Sequence, residues 1–351
     1  MDRQLYYLRL NMDSRLLRTA RPDGGQAPHW TGSEPLRPKA PTMINLQNLL
    51  DEVKCYEAVR QLRWPDGVRC PHCGAAEVTK QGRDTTQPAR QKYRCPGCPR
   101  SFDDLTGTVL AGHHPPLRVW MLCLYFMGLN LSNAQIAQEL GLNPDDVQRM
   151  TEQLREGIVA RQPEPVLSGE VECDEVYVVA GHKGFPDAVR KQGRRGRRRR
   201  LKGARGRGTL EKEKPPIFGM IQRGGAVVIR MLENVQQATI RPLIQTFIAP
   251  GTRVHTDEYT IYNPLKDWGF DHHTVCHSRG EYARDEDGDG FHEIHVNTME
   301  GFWSLLRSWL RPHRGISQEK LPLYLGFFPF VHNVRIRGKG LLSPLLKLLV
   351  A

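Results

Sequence analysis

Four of the eight cysteines fall in two matched pairs, Cys70-Pro-His-Cys73 and Cys95-Pro-Gly-Cys98, with 21 residues between them. A Cys-x-x-Cys turn presents two thiolates to one ion, and two such turns complete the tetrahedral sulfur shell that zinc prefers. Four thiolates leave no position for water, so the spacing predicts a structural Zn2+, with His72 an exposed bystander. A second set of candidates is acidic. The stretch Gly169-Glu-Val-Glu-Cys-Asp-Glu-Val-Tyr-Val178 sets four carboxylates in a run whose Val, Tyr and Cys favour a strand. Like charges that close repel one another, so something must compensate them. Asp257 ends the strand-like Gly251-Thr-Arg-Val-His-Thr-Asp257, and Glu300 lies in the helical stretch that begins near His295. Carboxylates drawn together from two strands and a helix bind hard cations, and two such cations can activate a water or 3′-hydroxyl and stabilise the leaving oxygen of a phosphodiester. Asp174, Asp257 and Glu300 are the residues that could converge in this way.

The elements that must position these groups are legible in outline. Between and after the cysteine pairs lie short, basic, strand-like pieces, with Phe102 placed to cap a small core; together they predict a zinc ribbon. From Pro116 onward, apolar residues at helical spacing occupy 117–127. Ser132 or Asn133 then caps a short helix that Gly141 ends, and Asn143-Pro144 starts another. Helix, Gly-containing turn and helix make a helix-turn-helix pattern, with Gln148, Arg149 and Gln153 as the groove-facing candidates. Downstream the pattern becomes mixed. The acidic strand is followed by two strands joined across Gly224-Gly225, a helix with Pro242 in its first turn, the strand that ends on Asp257, and a late helix. On a wheel of that late helix Asn297, Glu300, Ser304, Arg307 and Arg311 share a polar strip, while Phe302, Leu305, Leu306 and Trp309 fill an apolar face.

The chain has 351 residues, a hydrophobic fraction of 39% and 25% charged residues, which suits two or three folded domains rather than disorder. Its formal net charge of +12 is concentrated: residues 190–208 hold eleven Lys or Arg and no acid. That segment, which includes Arg194, Arg195, Arg197, Arg198, Arg199, Arg200 and Lys202, predicts a flexible arm on a phosphate backbone. No apolar run is long enough to span a membrane, the N-terminus lacks an apolar signal core, and four single cysteines (Cys55, Cys123, Cys173, Cys276) do not make a secreted disulfide framework. The expectation is a cytoplasmic protein. Asp285, Asp287, Asp289 and Gly290 have calcium-loop spacing, but the twelfth position is Val296, so an exposed acidic turn is expected instead of an EF-hand. His272, His273, His277, His292 and His295 form no compact ligand motif and are read as surface or phosphate-contacting residues.

The stretches His295-Val-Asn-Thr-Met-Glu-Gly-Phe-Trp-Ser-Leu-Leu-Arg307, "DEVYVVAGHKG", "HTDEYTIY" and "HRGISQEKLPLYLGFFPFVHNVR" resemble the zinc-ribbon DDE transposases of bacterial insertion sequences, the IS1595 family, over about residues 45–345. The resemblance implies a multidomain α+β protein in which ribbon and helix-turn-helix precede a ribonuclease-H-like α/β catalytic domain with a mixed sheet. Its boundaries would be a loosely ordered extension (1–42), the ribbon with a preceding helix (43–112), the helix-turn-helix region (113–162), the catalytic domain with its basic loop (163–337) and a C-terminal tail (338–351). It puts the first two acids at Asp174 and Asp257. The third is Glu300, favoured over Asn297 one turn earlier, with Mg2+ (or Mn2+) as the cofactor. Arg307 stands where the family often has Lys; it keeps phosphate contact but cannot donate a proton. The implied partners are transposon-end double-stranded DNA, target DNA and a second copy of the chain or more, in a bacterial nucleoid and without a membrane. The rival readings are a non-catalytic zinc-ribbon DNA-binding regulator and a metal-dependent nuclease or resolvase on the same fold.

Overall fold

The computed structural model describes residues 49–191, 193, 207–286, 288–290, 292–313, 315–336 and 340–351. The arm residues Arg194, Arg195, Arg197, Arg198, Arg199, Arg200 and Lys202 lie outside the described residues, as does the extension 1–42.

Helix α1 (Glu52–Arg63) starts where the Asp51 carboxylate accepts from Val53 N and Lys54 N. Its last turn carries Arg60 and Arg63, and both reach the ribbon strands β1 (Thr79–Arg83), β2 (Gln91–Arg94) and β3 (Ser101–Asp103), an antiparallel sheet in the order β1-β2-β3. Arg60 Nη1 lies 2.9 Å from Asp104 Oδ2, and Arg63 Nη1 donates to Asp104 O at 2.8 Å. The Asp104 carboxylate, fully buried, also accepts from Gln91 N at 2.7 Å and Tyr93 Oη at 3.2 Å. A buried carboxylate survives only when its oxygens are occupied, so this aspartate fastens helix to ribbon. Phe102 stacks on Tyr93 with centroids 5.2 Å apart and closes the small core as its position suggested.

Helices α2 (Leu117–Gly128), α3 (Asn133–Leu140) and α4 (Pro144–Arg161) follow. Ser132 makes a full capping box with Gln135, Gly141 ends α3 in the left-handed conformation at φ 62°, and Asn143 caps α4 with Pro144 next. The strand pattern then begins with β4 (Glu170–Tyr177) and short helix α5 (Pro186–Lys191). It continues through β5 (Pro216–Gln222), β6 (Val227–Met231), α6 (Gln237–Phe247), β7 (Arg253–Thr256), β8 (Asp271–Thr274), and the paired β9 (Ala283–Arg284) and β10 (Ile294–His295). Three helices complete the chain: α7 (Asn297–Leu310), α8 (Leu321–Ile336) and α9 (Leu342–Val350). Pro242 lies inside α6 and not in its first turn.

The main sheet is mixed, in the order β6-β5-β4-β7-β8. β5 runs antiparallel to both its neighbours, while β4, β7 and β8 are parallel. Both faces are covered. Val171, Cys173, Phe218, Met220 and Val254 pack with Ile240 and Ile244 of α6, and Val176, Ile217 and Ile221 pack with Met299 and Trp303 of α7. Burial on both faces is why β5 is a continuous apolar run instead of an alternating one.

Within the segment read as a tail, α9 buries Leu342, Leu345, Leu346 and Leu349 in the same core as Trp120, Leu124 and Leu154 of the α2–α4 bundle. Val109 N donates to Leu349 O at 3.0 Å, and a Cβ on Gly157 would lie 2.7 Å from Val109, so the chain's end is locked against α4. Arg155 of α4 is buried and stacks over the Tyr324 ring of α8 at 4.1 Å. Leu305, placed on the apolar face by the wheel, is 54% exposed; Trp303 takes the buried position.

Candidate active site and metal centre

The four cysteines of the ribbon come together. Cys70 Sγ is 3.6 Å from Cys98 Sγ and Cys73 Sγ is 3.5 Å from Cys95 Sγ, with all four sulfurs within 4.8 Å of one another. Zinc–thiolate bonds in a tetrahedron imply sulfur separations of about 3.8 Å, so the donor set fits Zn2+ in type, number and spacing. Each turn is set by its backbone: Cys70 N donates to Ala75 O and Gly74 N to Cys70 O at 2.9 Å, and Cys95 N to Arg100 O at 3.0 Å.

The acids come from three elements. Along β4 the odd residues Val171 and Cys173 enter the α6 core, which turns Glu172 and Asp174 toward α7. In the parallel β4–β7 register Glu172 is level with His255, so Asp174 and Asp257 follow two residues further along neighbouring strands, toward the same end of the sheet. Burial is the main cause that pushes the Asp174 carboxyl up to about 6, and the charges of Asp257 and Glu300 add to it. Among the described residues the ribbon cysteines are the only set of three or more such donors whose ligand atoms all lie within 4.8 Å of one another, so the three acids stand further apart than that. Asp257 is likewise raised, first by burial, although Tyr259 N donates to its Oδ1 at 3.0 Å. Glu300 stands exposed in the first turn of α7.

Asp174 has a partner that sequence reasoning missed. Trp303 Nε1 donates to Asp174 Oδ2 at 2.9 Å from a buried position one turn beyond Glu300. The indole reaches the strand because Gly219, the β5 residue opposite Asp174, carries no side chain: a Cβ there would lie 2.3 Å from Met299 Cε and 2.4 Å from the Trp303 ring. The i, i+3 spacing of Glu300 and Trp303 on one helix was the available signal.

Glu172, another of the four acids in the run, is fully buried. It accepts from Met299 N at 2.8 Å, Thr298 Oγ1 at 2.8 Å and Arg223 Nε at 2.8 Å, and lies 3.1 Å from His295 Nδ1. Burial works to raise this carboxyl, but the bonds from His295, Arg223, Met299 N and Thr298 outweigh it and hold it below the ordinary glutamate value. It therefore anchors the N-terminus of α7, where orphan amides and the helix dipole favour an anion. Arg223 also pairs with Glu170 and donates to Glu293 O at 2.7 Å. Two of the four acids in the run thus have a fixed arginine, and Glu175 accepts from Tyr262 Oη on the opposite face, where burial pushes it up to about 8.

The remaining candidates divide. Asn297 and Arg307 are exposed on α7 and make no hydrogen bond or ion pair to the three acids among the described residues. Gln148 and Arg149 are exposed on α4, where Gln148 accepts from Asn133 Nδ2 and Arg149 pairs with Asp146. Gln153 is taken up internally, 2.7 Å from Val109 O and from His113 Nε2. The histidines are not a surface set either: His272 is buried against Thr256 Oγ1 at 2.8 Å, His273 pairs with Asp271 and Glu286, and His295 faces Glu172. In the acidic turn Asp285 accepts from Gly288 N and Gly290 N and so closes the loop on itself.

Sequence relatives of the ribbon and of the mixed-sheet domain are transposases. The ISXO2-like transposase domain matches residues 166–333, and a transposase zinc-ribbon domain matches residues 50–101. A protein of transposable element ISH50 in Halobacterium salinarum is 35% identical over 309 residues, covering 87% of this chain and 99% of its own. A transposase-like protein of Haemophilus influenzae is 30% identical over 95 residues, 27% of this chain and 71% of its own. A chain of the solved simian T-cell lymphotropic virus intasome complex covers 58% of this chain and 66% of its own at 9% identity and a TM-score of 0.25, too distant to carry an argument. The chain belongs to the IS1595 family of insertion-sequence transposases. No helix among the described residues is long and apolar enough to cross a membrane.

Proposed function

We propose that this transposase works by DDE chemistry, with Asp174, Asp257 and Glu300 as the acids of a metal-dependent strand-cleavage and strand-transfer site on a ribonuclease-H-like domain. What supports the reading is that Asp174 and Asp257 lie toward the same end of neighbouring parallel strands, while α7, which bears Glu300, is tied to the first of those strands through Glu172 and Trp303. Glu300, not Asn297, is the third acid in this reading.

Asp174 and Asp257, whose carboxyls burial raises, would hold Mg2+ or Mn2+ together with the exposed Glu300. Bound there, such cations would offset the charge of the scissile phosphate and ease deprotonation of a water or 3′-hydroxyl. The chain's own residues do the rest. Trp303 holds Asp174 Oδ2 and so limits which carboxylate oxygen faces a ligand. Glu172 fixes the first turn of α7 and with it the position of Glu300. Arg307, two turns further along α7, is placed to contact phosphate.

In this reading the ribbon of 43–112 and the helix-turn-helix of 113–162, built on α3, the Gly141 turn and α4, bind the terminal inverted repeats. Arg149 and Gln148 reach the DNA. The catalytic domain of 163–337 with its basic arm then joins the end to target DNA in at least a dimer at the nucleoid. Three variants test the chemistry: Asp174→Asn, Asp257→Asn and Glu300→Gln, each assayed with a labelled transposon-end duplex and Mg2+. Cleavage should fall by about a thousandfold or more, with end binding retained. Wild-type cleavage by any folded Asp variant would overturn the mechanism.

A further inference from the structure

We propose that Arg207 is a phosphate clamp for the DNA strand being cut, seated beside the acid cluster by Tyr259; the proposal rests on the reading of that cluster as the cleavage site. A site built from three carboxylates repels the backbone it must act on, and divalent cations alone fix no orientation for the phosphate. A positioned guanidinium offers both charge and a planar fork of donors. Arg207 is the last arginine of the basic segment 190–208 and is exposed. Its Cζ lies 3.6 Å from the centroid of the Tyr259 ring. Stacking leaves the N–H groups pointing outward around the rim, and Arg207 makes no ion pair with a carboxylate among the described residues.

Its place is built into the backbone. Gly208 approaches so closely that a Cβ would lie 2.3 Å from Lys214 O, and Lys214 N donates to Thr209 O at 3.0 Å. Ala180 N donates to Glu213 O at 3.0 Å and Gln318 Nε2 to Leu210 O at 2.8 Å, which pins the turn beside the exit of β4. On the other side Tyr259 N binds Asp257 Oδ1, and the Tyr259 ring meets the edge of Tyr262, whose hydroxyl holds Glu175. Lys214 Nζ, 5.8 Å over the Tyr177 ring, adds a second cation on the same rim.

The ligand is a non-bridging phosphate oxygen pair at or next to the scissile bond. The test uses the full-length protein with transposon-end duplexes carrying either a normal phosphate or a neutral methylphosphonate at that position. Wild-type protein should bind the neutral duplex about tenfold more weakly. Arg207→Ala should bind the two duplexes equally, lower the salt slope of binding by about 0.9, and slow single-turnover cleavage by about 30-fold or more. Arg207→Lys should recover part of both losses, and Tyr259→Leu should show a smaller version of each. An Arg207→Ala protein that still discriminates the two duplexes would overturn the clamp, even with cleavage impaired, because the arginine would then act on the carboxylates. Unchanged cleavage by Arg207→Ala beside a dead Asp257→Asn would sink the clamp alone; full cleavage by Asp257→Asn would sink the underlying reading. An unchanged melting temperature confirms that each variant is folded.

Discussion

On the proposed function, the ribbon and the acid cluster are two ways of preparing a protein for a cation. In the ribbon every donor lies within a short turn of its pair, and the sulfurs stand 3.5 to 3.6 Å apart across the two turns. Four thiols held that close gain little without an ion, so the metal is part of the fold. In the acid cluster the donors come from two strands and a helix, spread from Asp174 to Glu300, and protein groups hold much of their surroundings in place: Trp303 on Asp174, Tyr259 N on Asp257 and Glu172 under the helix that bears Glu300. Here the fold stands first and charge repulsion is left for a ligand to relieve. A structural centre and a reactive one differ in that order of construction.

The comparison breaks most visibly at the ribbon. Cys95→Ser should abolish zinc retention and melt the 70–103 region, because an apparent binding free energy on the order of 10 kcal/mol is folding free energy there. Zinc content and amide dispersion would check this, and a fully dispersed, zinc-free ribbon would refute it. Asp174→Asn should leave both readouts untouched. Next in size is Glu172→Ala, which takes the buried acceptor from Arg223 and three other groups, Met299 N, Thr298 Oγ1 and His295 Nδ1, and should cost about 3 to 5 kcal/mol in thermal or urea unfolding. A loss below 1 kcal/mol would mean that the glutamate anchors nothing.

Smaller effects sharpen the picture of the cluster. Trp303→Phe keeps the ring and removes the bond to Asp174 Oδ2, so stability should fall by about 1 kcal/mol while cleavage falls by more than stability explains. Gly219→Ala, which forces Met299 and the indole aside, should cost about 1 to 3 kcal/mol and depress cleavage in step. The cluster also sets a pH dependence for the metal-free protein. The Asp174 carboxyl is pushed up to about 6 and Glu175 to about 8. The folded state therefore binds more protons than the unfolded chain between the ordinary carboxyl value and these values. Stability from these groups is fully present below about pH 4 and is lost as pH rises through about 6 and then about 8. Added Mg2+ should flatten that decline in a series of melting temperatures; a metal-free protein equally stable from pH 5 to 8 would contradict it.

Much of this was legible from residue order. The cysteine spacing, the Ser132 and Asn143 caps, the Gly141 stop and the hairpin at Gly224-Gly225 are all local events, decided within a few bonds of the residues concerned. The family resemblance pointed to Asp174 and Asp257 as the first two acids. What escaped was the company these acids keep. Glu172 looked like a neighbour of Asp174 in a charged strand, yet it is the buried foundation of α7. Trp303 stood on neither strip of the helical wheel, and the segment that forms α9 was read as a tail.

The sequence by itself determined a zinc ribbon, a run of capped helices and a mixed α/β domain bearing candidate acids, because turn chemistry, helix periodicity and thiolate pairing act over short distances. Only the tertiary structure decided which side of the sheet each acid faces. A one-residue slip of β4 against β5 would send Asp174 into the α6 core and bring Cys173 under Trp303. That register is set by burial on both faces, by the missing side chain at Gly219 and by the reach of Arg223 to Glu172, contacts between residues that no local pattern joins.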